Sequence, residues 1–374
     1  MRKLKNFLKY TRLGLILSLV LLCLSGCWDI IPIEDRAQVL VLGVDYATVG
    51  GNENGVRLSG QVPTIKNLIQ TASTHTDRQK PIFKPIIVEG KSLLEDIQQM
   101  EDRVFQSMVI GNVKMIILSP QVAEKDLVNF LTIFLRQPTV SFQTLVLCAE
   151  NSASDIVQFE APFDIQPGLM IGKQQNSALK LIRSFPMRLW DLIARIDNGI
   201  TDPYLPVISL DQDNKCYVLN GLKVFHGDKI VATLSSDDSY LFGILTGKVE
   251  EGYKEITVKN QEIGFSKVQY RTKIRIVKDQ KLQVEVKTSG TLLQIPEGFP
   301  DRVETYKLFQ REMEKQLRGQ VLSFIKKLQS LNSDPVGFRK YMEVAGIKNW
   351  EEAYPGFPVE VKVRFNFRNY SPSF

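Results

Sequence analysis

The stretch from Val113 to Ala149 limits what this chain can fold into more than any other part of it. Val113 to Leu118 is a short apolar run with the pattern of a buried strand. Ser119-Pro120 follows, a good N-cap residue with proline at the first helical position. Val122, Leu127, Leu131 and Phe134 then share one helix face to about Arg136, and Gln137-Pro138 stops the run. Phe142 to Ala149 returns to strand composition. Strand, helix and strand make a βαβ unit, whose strands pair in parallel through a right-handed crossover.

The flanking pattern is mixed. Ala37 to Val44 is a β-branched apolar run and predicts a buried strand. The turn-forming residues Gly50 to Gly55 lead into an alternating strand, Val56 to Val62, so a hairpin is expected. Residues 66–83, with Thr71, Ser73, Thr74, His75 and Thr76, predict an exposed, mobile loop. Ile86 to Val88 reads as a short strand and Ser92 to Phe105 as a helix. Residues 151–205 read as helical but are broken by Pro162, Pro167, Pro186, Pro203 and Pro206, with a boundary at Thr201 to Pro206. Pro186 opens a helix carrying Leu189, Trp190, Ile193 and Ile196.

Beyond that boundary, Cys216 to Phe225 and Lys229 to Leu234 flank His226-Gly227-Asp228, a hairpin signal. Asp238 to Leu245 predicts a short helix. Ile256 to Val258, Lys267 to Val277 and Leu282 to Leu293 predict strands. A long helix is expected from about Asp301 to Ser330, with Val303, Tyr306, Met313, Leu317, Val321, Phe324, Leu328 and Leu331 on one stripe. Gly319 inside it suggests a bend or a close approach. Val359, Val361, Val363, Phe365 and Phe367 alternate with polar residues, which predicts one buried and one wet face, as in an antiparallel sheet. The expected architecture is mixed α/β and α+β, in several domains. An N-terminal α/β domain with the βαβ unit covers 27–150, and a small, mainly helical region covers 151–210. A C-terminal α+β domain, an antiparallel sheet packed with the long helix, covers 211–374.

The first 26 residues read as a cleaved signal. Arg2, Lys3, Lys5, Lys9 and Arg12 precede an apolar core from Leu13 to Leu24 that is too short to span a bilayer comfortably. Leu24-Ser25-Gly26-Cys27 closes the segment and resembles a bacterial lipobox, in which the cysteine is acylated and becomes the first residue. The formal charge of +6 reports this segment, since its removal leaves 42 Lys+Arg against 41 Asp+Glu. No basic field remains to attract nucleic acid. No apolar run after Cys27 is long enough to span, so membrane attachment is expected through lipid on Cys27.

No catalytic constellation emerges. His75 and His226, the two histidines, lie in loop-like and turn-like sequence, without a Gly-x-Ser-x-Gly or a metal-ligand spacing. Glu250-Glu251 and Asp237-Asp238 read as solvated turn acids, and the Gly50–Gly55 stretch lacks the Lys-Ser/Thr of a phosphate loop. The residues therefore indicate no catalytic, metal or cofactor site. Cys148 and Cys216, expected in different domains, read as two buried thiols. The 301–330 helix carries mixed charge, which suits packing on its own sheet, with a docking role for a partner as the other reading.

Several segments resemble one family in order and spacing. Gly26-Cys27-Trp28-Asp29, Glu34-Asp35-Arg36 and the strand Val39 to Tyr46 resemble the start of the Ger(x)C lipoproteins, the C subunits of spore germinant receptors. Gly111 to Leu118 resembles a strand of that family, with Asn112 where the family often has His. Phe130 to Pro138 resembles its helix ending in Arg and Pro, and Asn220 to Leu234 its hairpin. Asp334 to Phe338 (DPVGF), Trp350 and the last strand resemble its C-terminal end. The resemblance implies three mixed α/β domains and S-diacylglycerol and N-acyl groups on Cys27. It implies attachment to the outer face of the spore inner membrane, with integral-membrane A-type and B-type receptor subunits as partners. The role implied is a lipid-anchored, non-enzymatic subunit needed for germination. The rival readings are a lipoprotein that binds the germinant, as solute-binding proteins do for transporters, and a lipid-tethered cell-wall enzyme.

Overall fold

A computed structural model of the chain describes residues 36–63, 83–104, 107–137, 139–160, 184–213, 215–249, 251–277 and 280–368, with Thr11, Gly14, Leu15 and Ser18. Cys27, the loop carrying His75, and residues 161–183 lie outside the described residues.

The expected strand from Ala37 to Val44 divides in two. β1 (Arg36–Gln38) leaves the main sheet, and β2 (Val41–Val49) joins it. The handover is in consecutive amides, since Val39 N donates to Val109 O and Leu40 N to Gln61 O. β2 turns at Gly50-Gly51, both with positive φ (+58° and +84°), into β3 (Asn52–Pro63), which pairs antiparallel with it. A two-residue primed turn needs that backbone, and glycine adopts it without strain. β4 (Phe83–Gly90) completes this edge, and α1 (Leu93–Asp102) follows with Ser92 as its N-cap. β5 (Ser107–Val109) pairs in parallel with β1.

The βαβ unit is present. β6 (Met115–Leu118) and β7 (Leu145–Ala149) pair in parallel, and Ser119 Oγ caps the connecting helix by accepting from Val122 N. That helix is two pieces, α2 (Pro120–Lys125) and α3 (Leu127–Arg136), because Asp126 leaves helical geometry at φ −136°. Its carboxylate accepts from the Tyr46 hydroxyl and from Asn129 Nδ2. α4 (Ala153–Gln158) lies on the other face of the sheet, held by Asp45 of β2, which accepts from Ala153 N and Ser154 N at 2.9 and 2.8 Å. α5 (Leu189–Asn198) precedes β8 (Tyr204–Asp211), β9 (Cys216–His226) and β10 (Lys229–Leu234).

The main sheet has eight strands in the order β10-β9-β8-β7-β6-β2-β3-β4. Its four central strands β8, β7, β6 and β2 run parallel, and antiparallel pairs flank them. All four residues of β6 are buried, as expected of a strand covered on both faces. The expected boundary at 201–206 falls at the start of β8, and residue 210 falls within β8, next to its hairpin with β9. Sheet pairing thus carries the N-terminal layer through to Leu234.

α6 (Ser236–Thr246) bridges to a second sheet of β11 (Gly252–Val258), β12 (Gln261–Val277), β13 (Lys281–Leu292) and, after the crossover, β14 (Val359–Phe367). α7 (Val303–Ser330) packs on it through Phe309, Met313, Leu317, Val321, Phe324, Ile325 and Leu328, all buried. Burial of each such side chain contributes about 1.5–3 kcal/mol. The helix is unbroken, and a Cβ at Gly319 would meet nothing within 4 Å, so that glycine marks no close approach. Two short helices follow, α8 (Phe338–Val344) and α9 (Trp350–Ala353).

The sheet is not wholly antiparallel. β11, β12 and β13 are, but β14 pairs in parallel with β13. The crossover through the long helix carries the chain from the end of β13 back to the end where β13 began, so β14 starts beside Leu282 and a parallel pair results. The alternation itself holds, with Val361 and Phe365 buried and Lys362, Arg364 and Asn366 exposed.

Candidate functional site

The most elaborate polar arrangement among the described residues lies where the two halves meet. α5 ends at Gly199, whose φ of +64° reverses the chain, and Asn198 Oδ1 accepts from Ile200 N to shape the turn. Asp202 is thereby carried inward. Its Oδ1 accepts from Gly227 N in the β9–β10 turn at 2.9 Å. Its Oδ2 accepts from Asp334 N at 2.7 Å and from Arg339 Nη1 at 2.8 Å.

The C-terminal half supplies the other side from the segment after α7. Ser333 Oγ donates to Phe225 O in β9 at 2.5 Å. Asp334 accepts from Gly337 N and Arg339 N, at 2.9 and 2.6 Å, and so closes the start of α8. Gly337 sits at φ +92°, a backbone that glycine adopts readily. Arg339 also donates through Nη2 to Asn332 O and Oδ1, at 2.7 and 2.9 Å. Its guanidinium lies 4.9 Å from the centre of the Tyr354 ring, and the Tyr354 hydroxyl donates to Ser333 O.

Asp202 thus pairs with the Arg339 guanidinium, while the buried Asp334 carboxylate is held by backbone amides. Burial pushes Asp334 up to about 6, against the opposing pull of the Arg339, Phe338 and Gly337 amides and the Arg339 charge. Beside them, Arg195 donates to Asp202 O and Pro335 O, at 3.1 and 3.0 Å. Arg195 and Lys248 both face the buried Tyr204 ring, at 5.2 and 4.9 Å from its centre, and Lys248 Nζ donates to the Tyr204 hydroxyl. Burial lowers the Lys248 ammonium to about 8, with the neighbouring Arg195 charge adding to the shift.

Chemically, this junction is suited to holding and registering. Asp202, Asp334 and Arg339 are buried and bonded to one another or to backbone groups of the β9–β10 turn, the segment after α7 and the start of α8, so they fix the placement of these elements relative to each other. The attraction within such a buried ion pair is offset by the cost of desolvating both charges, so its presence is weak evidence of net stability. Among the described residues no group of three or more His, Cys, Asp or Glu side chains is placed to hold a metal ion.

The residues singled out by sequence fall elsewhere. Cys27 and His75 lie outside the described residues, and His226 is exposed at the end of β9. Cys148 and Cys216 are free thiols, as two separate thiols were expected, but both lie in the eight-stranded sheet, on β7 and β9. Cys148 is buried, and burial pushes its thiol up to about 12. Cys216 is only half-buried. Sequence reasoning missed Asp202 and Arg339. A signal was present, since Asp202-Pro203 and Asp334-Pro335 repeat the same dipeptide, and proline holds the residue before it extended. The structure brings together two segments that carried the family resemblance, the Asn220–Leu234 hairpin and Asp334–Phe338.

Two family models match the chain, "Spore germination protein N-terminal domain" over residues 29–210 and "Spore germination B3/ GerAC like, C-terminal" over residues 220–371. Asp202 lies in the first match and Arg339 in the second. The chain is 21% identical to the putative spore germination protein YfkR of Bacillus subtilis (strain 168), over 92% of each chain. It is 23% identical to spore germination protein B3 of the same organism over 90% of each, and 20% identical to its spore germination protein KC over 95% of each. Among solved structures it is similar to the GerBC protein, with a TM-score of 0.55 and 17% identity, over 88% of this chain and 97% of that one. At that identity the likeness shows the fold.

Proposed function

This chain belongs to the Ger(x)C family of spore germination proteins, and from that membership we propose that it is a lipid-anchored, non-enzymatic subunit of a nutrient germinant receptor. Acyl chains on Cys27 hold it to the outer face of the spore inner membrane, where it binds integral-membrane A-type and B-type subunits. The observation that carries the anchor is Leu24-Ser25-Gly26-Cys27 at the end of a basic, then apolar, leader. Among the described residues no helix is long and apolar enough to cross a membrane. Diacylglycerol with an N-acyl chain supplies two or more chains, enough for stable attachment.

The Asp202–Arg339 junction supports a scaffolding role. It makes the N-terminal and C-terminal halves bear on each other through buried contacts, the property a subunit needs to pass a rearrangement from one partner surface to another. The experiment is Cys27→Ala in spores, read by membrane fractionation and germination rate. Loss from the membrane fraction with slowed germination is expected, and normal retention and germination would overturn the anchor. Co-purification of the tagged chain from spore membranes checks the partners. Their absence from the purified complex would refute the subunit assignment.

A further inference from the structure

Among the described residues β14 is an edge strand of the C-terminal sheet, with no strand paired on its outer side. Along a strand, peptide groups alternate between the two sides. The even-numbered positions of this segment serve β13, as Leu282 N donating to Pro358 O and Arg368 N donating to Gly290 O show at its two ends. The odd-numbered positions therefore face outward. At Phe365, α7 satisfies them, since Phe365 N donates to Glu314 Oε1 and Gln310 Nε2 donates to Phe365 O, both at 2.9 Å. α7 does the same for the opposite edge, where Gln316 bonds both N and O of Thr257. The outward groups of Val361 and Val363 have no such side-chain partner among the described residues.

They lie instead in a groove of about 330 Å³ between β14 and α7, lined also by Arg311, Glu314, Lys315, Arg318, Lys362 and Arg364. Arg311, Glu314, Lys315 and Arg318 share one face of α7 by their spacing. Glu314, the one acid of the lining, is engaged by Phe365 N. Lys315, Lys362 and Arg364 have surface carboxylates at 3.9, 3.2 and 3.8 Å. Arg311 and Arg318 have none within ion-pair reach among the described residues.

We propose that this groove docks an extended, acidic segment of a partner protein, which adds to the free edge of β14 as a short strand and sets its carboxylates against Arg311, Lys315 and Arg318. A lone phosphate would satisfy the cations and leave the carbonyls of Val361 and Val363 without donors. An extended chain supplies N–H and C=O groups at strand spacing and satisfies both. Exposed cations on an edge strand also discourage pairing with copies of the same strand. An acidic strand is the partner for which those charges attract. This surface does not depend on the anchor at Cys27, and its test reads the groove directly.

The test is fluorescence anisotropy with the full-length chain in detergent. The probe is a labelled eight-residue peptide of alternating Val and Glu. Comparison probes are the same peptide N-methylated at alternate residues and a Val-Lys peptide, with phosphatidylglycerol bicelles as competitor. Val363→Pro removes one outward N–H and spares the bonds to β13. Arg311→Glu with Arg318→Glu reverses the charge. The Val-Glu peptide should bind, and each of the two altered peptides and two variants should weaken binding about tenfold or more. Melting temperatures check that the variants fold, and if Val363→Pro does not, the charge variant and the N-methylated peptide decide. Failure of the Val-Glu peptide to bind, equal binding of the N-methylated peptide, or undiminished binding by the charge variant would overturn the proposal. So would displacement of the peptide by phosphatidylglycerol at lower concentration than by unlabelled peptide, which would mark a lipid site.

Discussion

Asp202 and Arg339 stand 137 residues apart in the sequence and 2.8 Å apart in the fold, with side chains only 3% and 2% exposed. Each half of the molecule contributes one charge, and each charge has further partners, Gly227 N and Asp334 N for Asp202 and Asn332 for Arg339. The pair therefore couples the placement of α8 to that of the β9–β10 turn.

Removing the cation tests this. Arg339→Met should destabilise the chain by about 3–5 kcal/mol, because it leaves a buried carboxylate without its counter-charge. The double variant Asp202→Asn with Arg339→Met should lose clearly less than the sum of the single losses. Urea denaturation of the three variants measures both, and simple additivity would show that the pair is not coupled.

Asp96 on α1 predicts a pH dependence. It is fully buried, and neither carboxylate oxygen has a hydrogen-bond partner among the described residues. Burial raises it from 3.8 to about 7, and the charges of Glu95 and Glu89 add to the shift. Between those values the folded state holds a proton that the unfolded state has released. Its contribution is therefore full below 3.8 and is lost as pH rises through about 7. Asp96→Asn should remove that slope and be more stable than the parent at about pH 8, with the advantage shrinking toward about pH 5. Asp334, raised to about 6, leaves a slope of the same sign in both proteins. An advantage for the variant that does not change with pH would contradict the assignment.

Two glycines predict opposite signs. Gly221 sits at φ +85°, and a Cβ there would lie 2.4 Å from Leu234 O, a backbone atom. Gly221→Ala should cost on the order of 1–3 kcal/mol or more. Gly319 is helical, with open space where its Cβ would go. Gly319→Ala should stabilise by about 0.5–1 kcal/mol through helix propensity. Denaturation midpoints of the two variants check both, and a loss at Gly319 would mean that α7 needs its glycine.

Much of the secondary structure was legible because its cues are local. Ser119-Pro120 marks a helix start wherever it occurs, and Gly50-Gly51 and Gly227 allow turns that few other residues allow. The divided strand at Val39-Leu40 was not legible. Its two amides bond to different sheets, and no periodicity records that. The split at Asp126 was hidden similarly, since Asp126 engages Tyr46 and Asn129, and Tyr46 is far away in sequence.

By itself the sequence determined which segments form strands and helices across the βαβ unit, the 216–234 hairpin and the alternating last strand. It also carries the cysteine that the anchor proposal rests on. Tertiary structure alone decided that β14 runs parallel to β13, that one sheet continues past residue 210, and that Asp202 meets Arg339. Periodicity expresses which face of an element is apolar, a property of neighbours a few residues apart. Strand direction and the partners of a buried charge depend on the path of the whole chain.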